Sequence, residues 1–386
     1  MIRLHWLAGI FCVCTISIIS FLLKMPEPES RDENMKYILQ WTSPDTDPFF
    51  LMGKGQEQFV KRMCPINNCF ITSDRDELNS IKDFDAILFY GPEFTQKEVI
   101  FPTERSLHQK YVFVSRESPA YYNLDKPRYD GFFNWTYTYK LNSDIYFGFI
   151  IIKNEYGNII GPKTNIYWMD VNYMKSINSD LKNKLKSKKF AVAWFVSNCQ
   201  SRSKREKIAL KLQKELYIRG LVLDIYSEKC SWIGTKSCPK DEEINLAGTE
   251  CLRKLETDYY FYLAFENSLS EDYVTEKLLN AVQHHAVPIV FGGADYDRFL
   301  PEGSYLNANK LSMIELVNKI VAAILNKEVY YDYFKWTNHY SYHAVDEMPE
   351  SDYMCSLCSA LNDQFFVNQI SIYENMREWW NLKPQR

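Results

Sequence analysis

Two hydrophobic patterns share the chain. In the first part, apolar runs at residues 36–41 (KYILQW), 70–72, 86–90 (AILFY) and 111–115 (YVFVS) predict strands, with residues 144–152 a further candidate. They describe an α/β domain whose helices are weakly signalled. The run at 175–189 (KSINSDLKNKLKSKK) is rich in Lys, Ser and Asn and reads as an interdomain linker; a solvated surface helix is the alternative. Beyond it the rhythm is regular. Strands at 190–196, 221–226, 259–265 and 287–291 alternate with helices at 203–218, 242–255, 273–285 and 312–325. The first of these helices shows its face in Ile208, Leu212 and Leu216, spaced by four. Strand and helix alternating through short loops predict a doubly wound parallel sheet. Such sheets bind ligands at the carboxyl ends of their strands, near helix N-termini.

The amino terminus carries a different signal. Residues 5–23 (HWLAGIFCVCTISIISFLL) hold no charged side chain and, as a helix, would reach roughly 28 Å, close to the ~30 Å bilayer core. A signal-anchor is predicted, with residues 1–4 cytoplasmic, 24–35 a short acidic stem and the remainder lumenal. A cleaved signal peptide is the competing reading. It needs a small-x-small site, which Pro26-Glu27-Pro28-Glu29 does not offer. The body divides into residues 36–175, 176–345 and a C-terminal segment 346–386. Its composition, 46% hydrophobic and 24% charged, suits a sizeable core, and the net charge of −4 argues against a nucleic-acid partner. Aromatics at 16% leave flat rings to spare for stacking on sugars.

Cysteine usage agrees with an oxidising compartment. Cys12 and Cys14 lie in the apolar span, leaving Cys64, Cys69, Cys199, Cys230, Cys238, Cys251, Cys355 and Cys358 as disulfide candidates. Closeness in sequence suggests Cys64–Cys69, Cys230–Cys238 and Cys355–Cys358, with Cys199–Cys251 left over. Cys355-Ser-Leu-Cys358 is open to a zinc or redox reading as well. Asn134-Trp-Thr136 is the one N-glycosylation sequon, usable if lumenal.

Two polar clusters follow buried strands. Ser197-Asn198-Cys199, then Arg202 and Arg205, stand between a strand and a helix start, where loop amides and the helix dipole favour phosphate and an arginine adds a clamp. The bland alternative is a solvated first-turn arginine. The second cluster is Phe265-Glu266-Asn267-Ser268 followed by Asp272-Tyr273-Val274-Thr275-Glu276-Lys277. Spacings of three and four put Tyr273, Glu276 and Lys277 on one helix face, able to stack a ring, hold hydroxyls and neutralise a diphosphate. A surface Glu–Lys pair would look the same.

The run at 265–293, FENSLSEDYVTEKLLNAVQHHAVPIVFGG, resembles the signature of the α1,3-fucosyltransferase family, and VAWFVSNCQSRSKRE at 192–206 resembles that family's first donor motif. Cys64-Pro-Ile-Asn-Asn-Cys69, Arg116-Glu117-Ser118-Pro119, Phe334-Lys-Trp336 and the CSLC step extend the resemblance over most of the lumenal chain, and SNC in place of SNW is most similar to invertebrate and plant core-type members. The resemblance implies a GT-B fold, two Rossmann-like domains facing across a cleft. It implies an inverting Golgi enzyme that takes fucose from GDP-fucose to a GlcNAc-containing glycan of a glycoprotein. Glu117 would be the general base, and Asn198, Arg205, Tyr273, Glu276 and Lys277 would hold the donor, with no cofactor or metal required. A same-family transferase acting on a protein hydroxyl and a non-catalytic glycan-binding scaffold are the rivals. Asp-x-Asp pairs such as Asp83-Phe-Asp85 lie apart from the donor motifs, and His339 with His343 lacks an evident third zinc ligand.

Overall fold

The computed structural model describes residues 32–45, 48–227, 229–233, 236–238 and 249–382. The predicted anchor at 5–23 and most of the stem lie outside the described residues, as does the first half of the helix expected at 242–255; its remainder is the helix Thr249–Asp258. Among the described residues, no helix is long and apolar enough to cross a membrane.

Three sheets organise the described residues. The strands are β1 Lys36–Gln40, β2 Cys69–Thr72, β3 Ala86–Tyr90, β4 Lys110–Ser115, β5 Trp135–Thr138, β6 Ile145–Tyr146, β7 Ile150–Asn154, β8 Ile159–Gly161, β9 Phe190–Phe195, β10 Leu223–Tyr226, β11 Tyr259–Phe265, β12 Val287–Phe291, β13 Leu306–Asn307 and β14 Tyr340–Ala344. The first sheet runs β2-β1-β3-β4-β5-β6 and the second β10-β9-β11-β12-β13. Every pairing within these two is parallel. A small antiparallel sheet, β14-β7-β8, joins a strand from before the second sheet to one from after it.

Burial on both faces explains the unbroken apolar runs. In β4, Val112 and Val114 enter one core while Tyr111 and Phe113 enter the core on the opposite face. In β11, Phe261, Leu263 and Phe265 point one way and Tyr262 and Ala264 the other. The candidate strand at 144–152 is two strands in different sheets. The chain turns between them at Gly148, where a Cβ would sit 2.0 Å from the Tyr146 phenol oxygen. The lysine-rich run is helical over Ser179–Lys186, capped by Asn178 and inserting Leu185 into the core.

The C-terminal segment returns to the first sheet and closes both of its faces. The helix Tyr353–Asn362 packs Met354, Leu357 and Leu361 into one core, and the helix Met376–Asn381 sends Met376 and Trp380 into the other. This return overturns the expected cysteine pairing. The bonds are Cys64–Cys355, Cys69–Cys358, Cys199–Cys230 and Cys238–Cys251. Cys355 and Cys358 stand one turn apart on a helix, so they share a face and reach outward instead of to each other. Cys64 and Cys69 flank the entry to β2, directly beneath that face, with Cα–Cα separations of 5.0 and 5.9 Å. Cys199 and Cys230 follow β9 and β10, and neighbouring parallel strands deliver their loops to the same end of the sheet.

Candidate active site

In both sheets the second strand lies outside the first and the third lies on its other side. The order therefore reverses between β1 and β3 and between β9 and β11, where a crevice opens at the carboxyl ends of parallel strands. The loop after β9 carries Asn198, and the loop after β11 carries Glu266 through Thr275. The loop after β4, on the first sheet, carries Glu117. These three loops meet.

Glu266 leaves the buried strand β11 and is itself only 1% exposed. Its carboxylate accepts from the Thr275 amide (2.9 Å) and hydroxyl (3.0 Å) and pairs with the Lys277 ammonium at 3.1 Å. A carboxylate just past the strand thus holds the amide and hydroxyl of Thr275, the N-cap residue of the helix Glu276–Gln283. The helix begins at Glu276, not at residue 273. Asp272 takes a left-handed φ of 57°, held by Arg298 (2.9 Å) and the Leu141 amide (3.1 Å), which keeps the preceding residues irregular. Tyr273 therefore does not share a helix face with Glu276 and Lys277. It turns instead toward the first sheet, and its hydroxyl donates to Glu117 Oε2 at 3.2 Å.

The electrostatics follow from burial. Desolvation raises the Glu117 pKa above the ordinary carboxylate value; the Tyr273 hydrogen bond and the Lys277 charge oppose that, and Glu276 and Glu266 add to it. Burial works against the Lys277 ammonium, but Glu266 and Glu276 outweigh it and lift its pKa, so the proton stays on lysine. Complete burial raises Glu266 in turn, against the pull of Lys277. A carboxylate of raised pKa on the first sheet thus stands within the field of a fixed ammonium on the second, which suits transfer of a group from an anionic leaving group to a hydroxyl.

Comparison with known proteins decides the family. Residues 33–150 match the family model "Fucosyltransferase, N-terminal", and residues 185–379 match "Glycosyltransferase family 10 (fucosyltransferase) C-term". The chain belongs to glycosyltransferase family 10, the fucosyltransferases. It is 35% identical over 323 residues to α-(1,3)-fucosyltransferase C of Drosophila melanogaster, covering 82% of this chain and 70% of that protein. It is 30% identical over 333 residues to glycoprotein 3-α-L-fucosyltransferase A of the same organism, covering 85% of this chain and 57% of that one. The crystal structure of an α1,3-fucosyltransferase with GDP aligns over 92% of this chain and 95% of that one, at 14% identity and a TM-score of 0.49.

In this fucosyltransferase Arg205 is not the solvated arginine that a first-turn position suggests. It is 3% exposed; its guanidinium donates to the carbonyls of Phe265 and, at 3.0 Å, Asn198, and lies 5.7 Å from the Trp194 ring. As placed, it ties the two loops of the second sheet together from beneath. Asn198 is half-buried in the loop after β9, with Nδ2 donating to Tyr121 at 3.3 Å. Glu276 is exposed beside Lys277, at 3.1 Å. Asn134 stands apart from the cleft. Its Oδ1 accepts from the Tyr111 amide (2.9 Å) and from Arg105, its Nδ2 donates to the Ser371 carbonyl at 2.8 Å, and Thr136 of the sequon is fully buried. A glycan on Nδ2 would have to grow from an atom this fold uses internally.

Sequence reasoning quoted Glu266 without giving it a role, and the signal was there: a carboxylate directly after seven buried strand residues needs a partner. Tyr121 left no such signal. A cavity of about 510 Å³ lined by Cys199, Gln200, Lys204, Lys207, Leu210 and Trp232 flanks the first loop, but Glu117, Glu266 and Lys277 take no part in it.

Proposed function

We propose that this enzyme transfers L-fucose from GDP-fucose to a hydroxyl of a GlcNAc residue in a glycoprotein glycan, forming an α1,3 bond with inversion. The two parallel sheets, meeting at their carboxyl ends, fit the GT-B plan, with the donor on the second sheet and the acceptor on the first. Glu117 takes the proton of the acceptor hydroxyl as that oxygen bonds to fucose C1, while the bond from C1 to the diphosphate oxygen breaks on the opposite face. Displacement from opposite faces inverts the centre. Lys277 meets the charge that develops on the departing diphosphate. Asn198, Tyr273 and Glu276 border the same space and offer polar groups to the nucleotide sugar. The observation that carries the reading is the meeting of Glu117, Tyr273 and Lys277 across two sheets.

We infer, from the apolar span at 5–23, a type II protein of the Golgi membrane with its catalytic body in the lumen; the span supports membrane anchorage. The names of the relatives favour glycans of the N-linked core or antennae over a protein hydroxyl. Two assays test this. Glu117→Gln in the full chain keeps GDP affinity and loses transfer by a factor on the order of 10²–10⁴. Retention of most of the rate would place the base elsewhere. A screen of the wild-type protein against core, antennal and peptide acceptors, read as GDP release, identifies the acceptor. Release with none of them would turn the reading toward a glycan-binding protein.

A further inference from the structure

The segment after the base does more than carry Glu117. Ser118 is fully buried, and its hydroxyl donates to the Ser268 hydroxyl at 2.7 Å, from the first sheet to the second. The Ser118 carbonyl accepts from the amides of Tyr121 and Tyr122, both at 3.1 Å, so the turn is stiff. Its far end is the Tyr121 phenol. That single hydroxyl accepts from Asn198 Nδ2 (3.3 Å) and the Arg202 amide (3.1 Å) and donates to the Asn267 carbonyl (3.4 Å). The Arg202 guanidinium lies 5.7 Å from the ring. A phenol has one proton to give and two lone pairs to offer, so its capacity is full. Two of its partners belong to the loop after β9 and one to the loop after β11.

We propose that Tyr121 is a positioning residue of the transfer reaction. Reaching from the base-bearing sheet, it clasps both donor loops and sets their distance from Glu117. This inference rests on the donor reading of those loops. The clasp acts on the nucleotide-sugar side only, because every atom it holds lies on the second sheet. The phenol touches none of the reacting groups, so its effect appears in how well the donor is held.

The test is Tyr121→Phe in the full chain, purified in detergent, with Tyr156→Phe, a tyrosine 79% exposed on the β7–β8 turn, as control. Affinity for GDP and for GDP-fucose is measured by titration calorimetry, and the KM for each substrate is measured separately. The expected result is a donor KM and GDP Kd raised roughly 5- to 20-fold, with the acceptor KM held within about twofold. The control should match the wild type. An unchanged donor KM overturns the proposal, and so does an equal rise in both KM values with a lowered Tm, which a merely structural hydroxyl would produce. If the wild type binds neither GDP nor GDP-fucose, the donor reading itself falls, and the clasp with it.

Discussion

The two parallel sheets share a strand order but are closed by different parts of the chain. The second is covered by its own local helices, among them Arg205–Tyr217, Glu276–Gln283 and Met313–Leu325. Its bridges, Cys199–Cys230 and Cys238–Cys251, span 31 and 13 residues. The first sheet recruits its cover from the far end of the chain, through bridges spanning 291 and 289 residues. The half proposed to hold the donor is therefore built largely from local contacts. The half that carries Glu117 is complete only once the last residues have docked. Glu117, the proposed base, thus sits on the half that depends on the C terminus, while Lys277 sits on the half that does not.

That contrast can be broken at its strongest point first. In the chain-entropy account, a cross-link closing so long a loop contributes about 5 kcal/mol, and one closing a short loop about 3–4 kcal/mol. Replacing Cys355 and Cys358 with serine, which opens both long loops, should therefore lower the thermal midpoint more than replacing Cys199 and Cys251, which opens both short ones. Equal shifts would mean that the C-terminal return is held by packing alone. Next is Trp380, which meets the Phe113 ring at 4.9 Å and donates to the Tyr122 carbonyl at 2.9 Å. Trp380→Ala should cost about 3–5 kcal/mol of stability, measured by denaturant unfolding. It should also impair transfer more than GDP binding, because it loosens the Glu117 side of the cleft.

A site mutation should act the other way. Lys277→Ala should lower kcat/KM for the donor by about 10²-fold, close to 3 kcal/mol, while leaving the Glu117 side of the cleft in place; it also costs stability, because the buried Glu266 carboxylate loses its partner charge. Glu266→Gln keeps an acceptor for Thr275 but removes the partner charge. Its effect should largely vanish in a Lys277→Ala background, a double-mutant cycle that locates its role in the lysine. Additive losses would give Glu266 a function of its own.

The smallest effect is in the pH profile. A base works deprotonated, and burial raises the Glu117 pKa, so kcat/KM should rise with pH through a limb above the ordinary carboxylate range. Tyr273 donates to the ionised carboxylate and holds that pKa down. Tyr273→Phe should therefore shift the limb to higher pH, with stability little changed. A limb that stays in place would separate Tyr273 from the base.

Much of this was legible in the chain. The strands of the second sheet, the loops that carry Asn198 and Glu266, and the step holding Glu117 all rest on local signals: apolar runs, polar switches at strand ends and a run of motif residues. Spacing extends the helix at Glu276 back to residue 273 because its N-cap residue Thr275 is held by Glu266, nine residues upstream in the loop after β11, and not by a local motif. Spacing could not reveal that.

Local order along the chain determined which residues would be strands, which loops would be polar and which carboxylate would stand after β4. Tertiary structure alone decided that Cys64 and Cys69 find Cys355 and Cys358, that Tyr273 turns to Glu117, and that Tyr121 reaches Asn198, Arg202 and Asn267. The physical reason is common to all three. Patterning records how each segment buries its own face, whereas these contacts join groups brought close only when two finished sheets and a returning C terminus pack together.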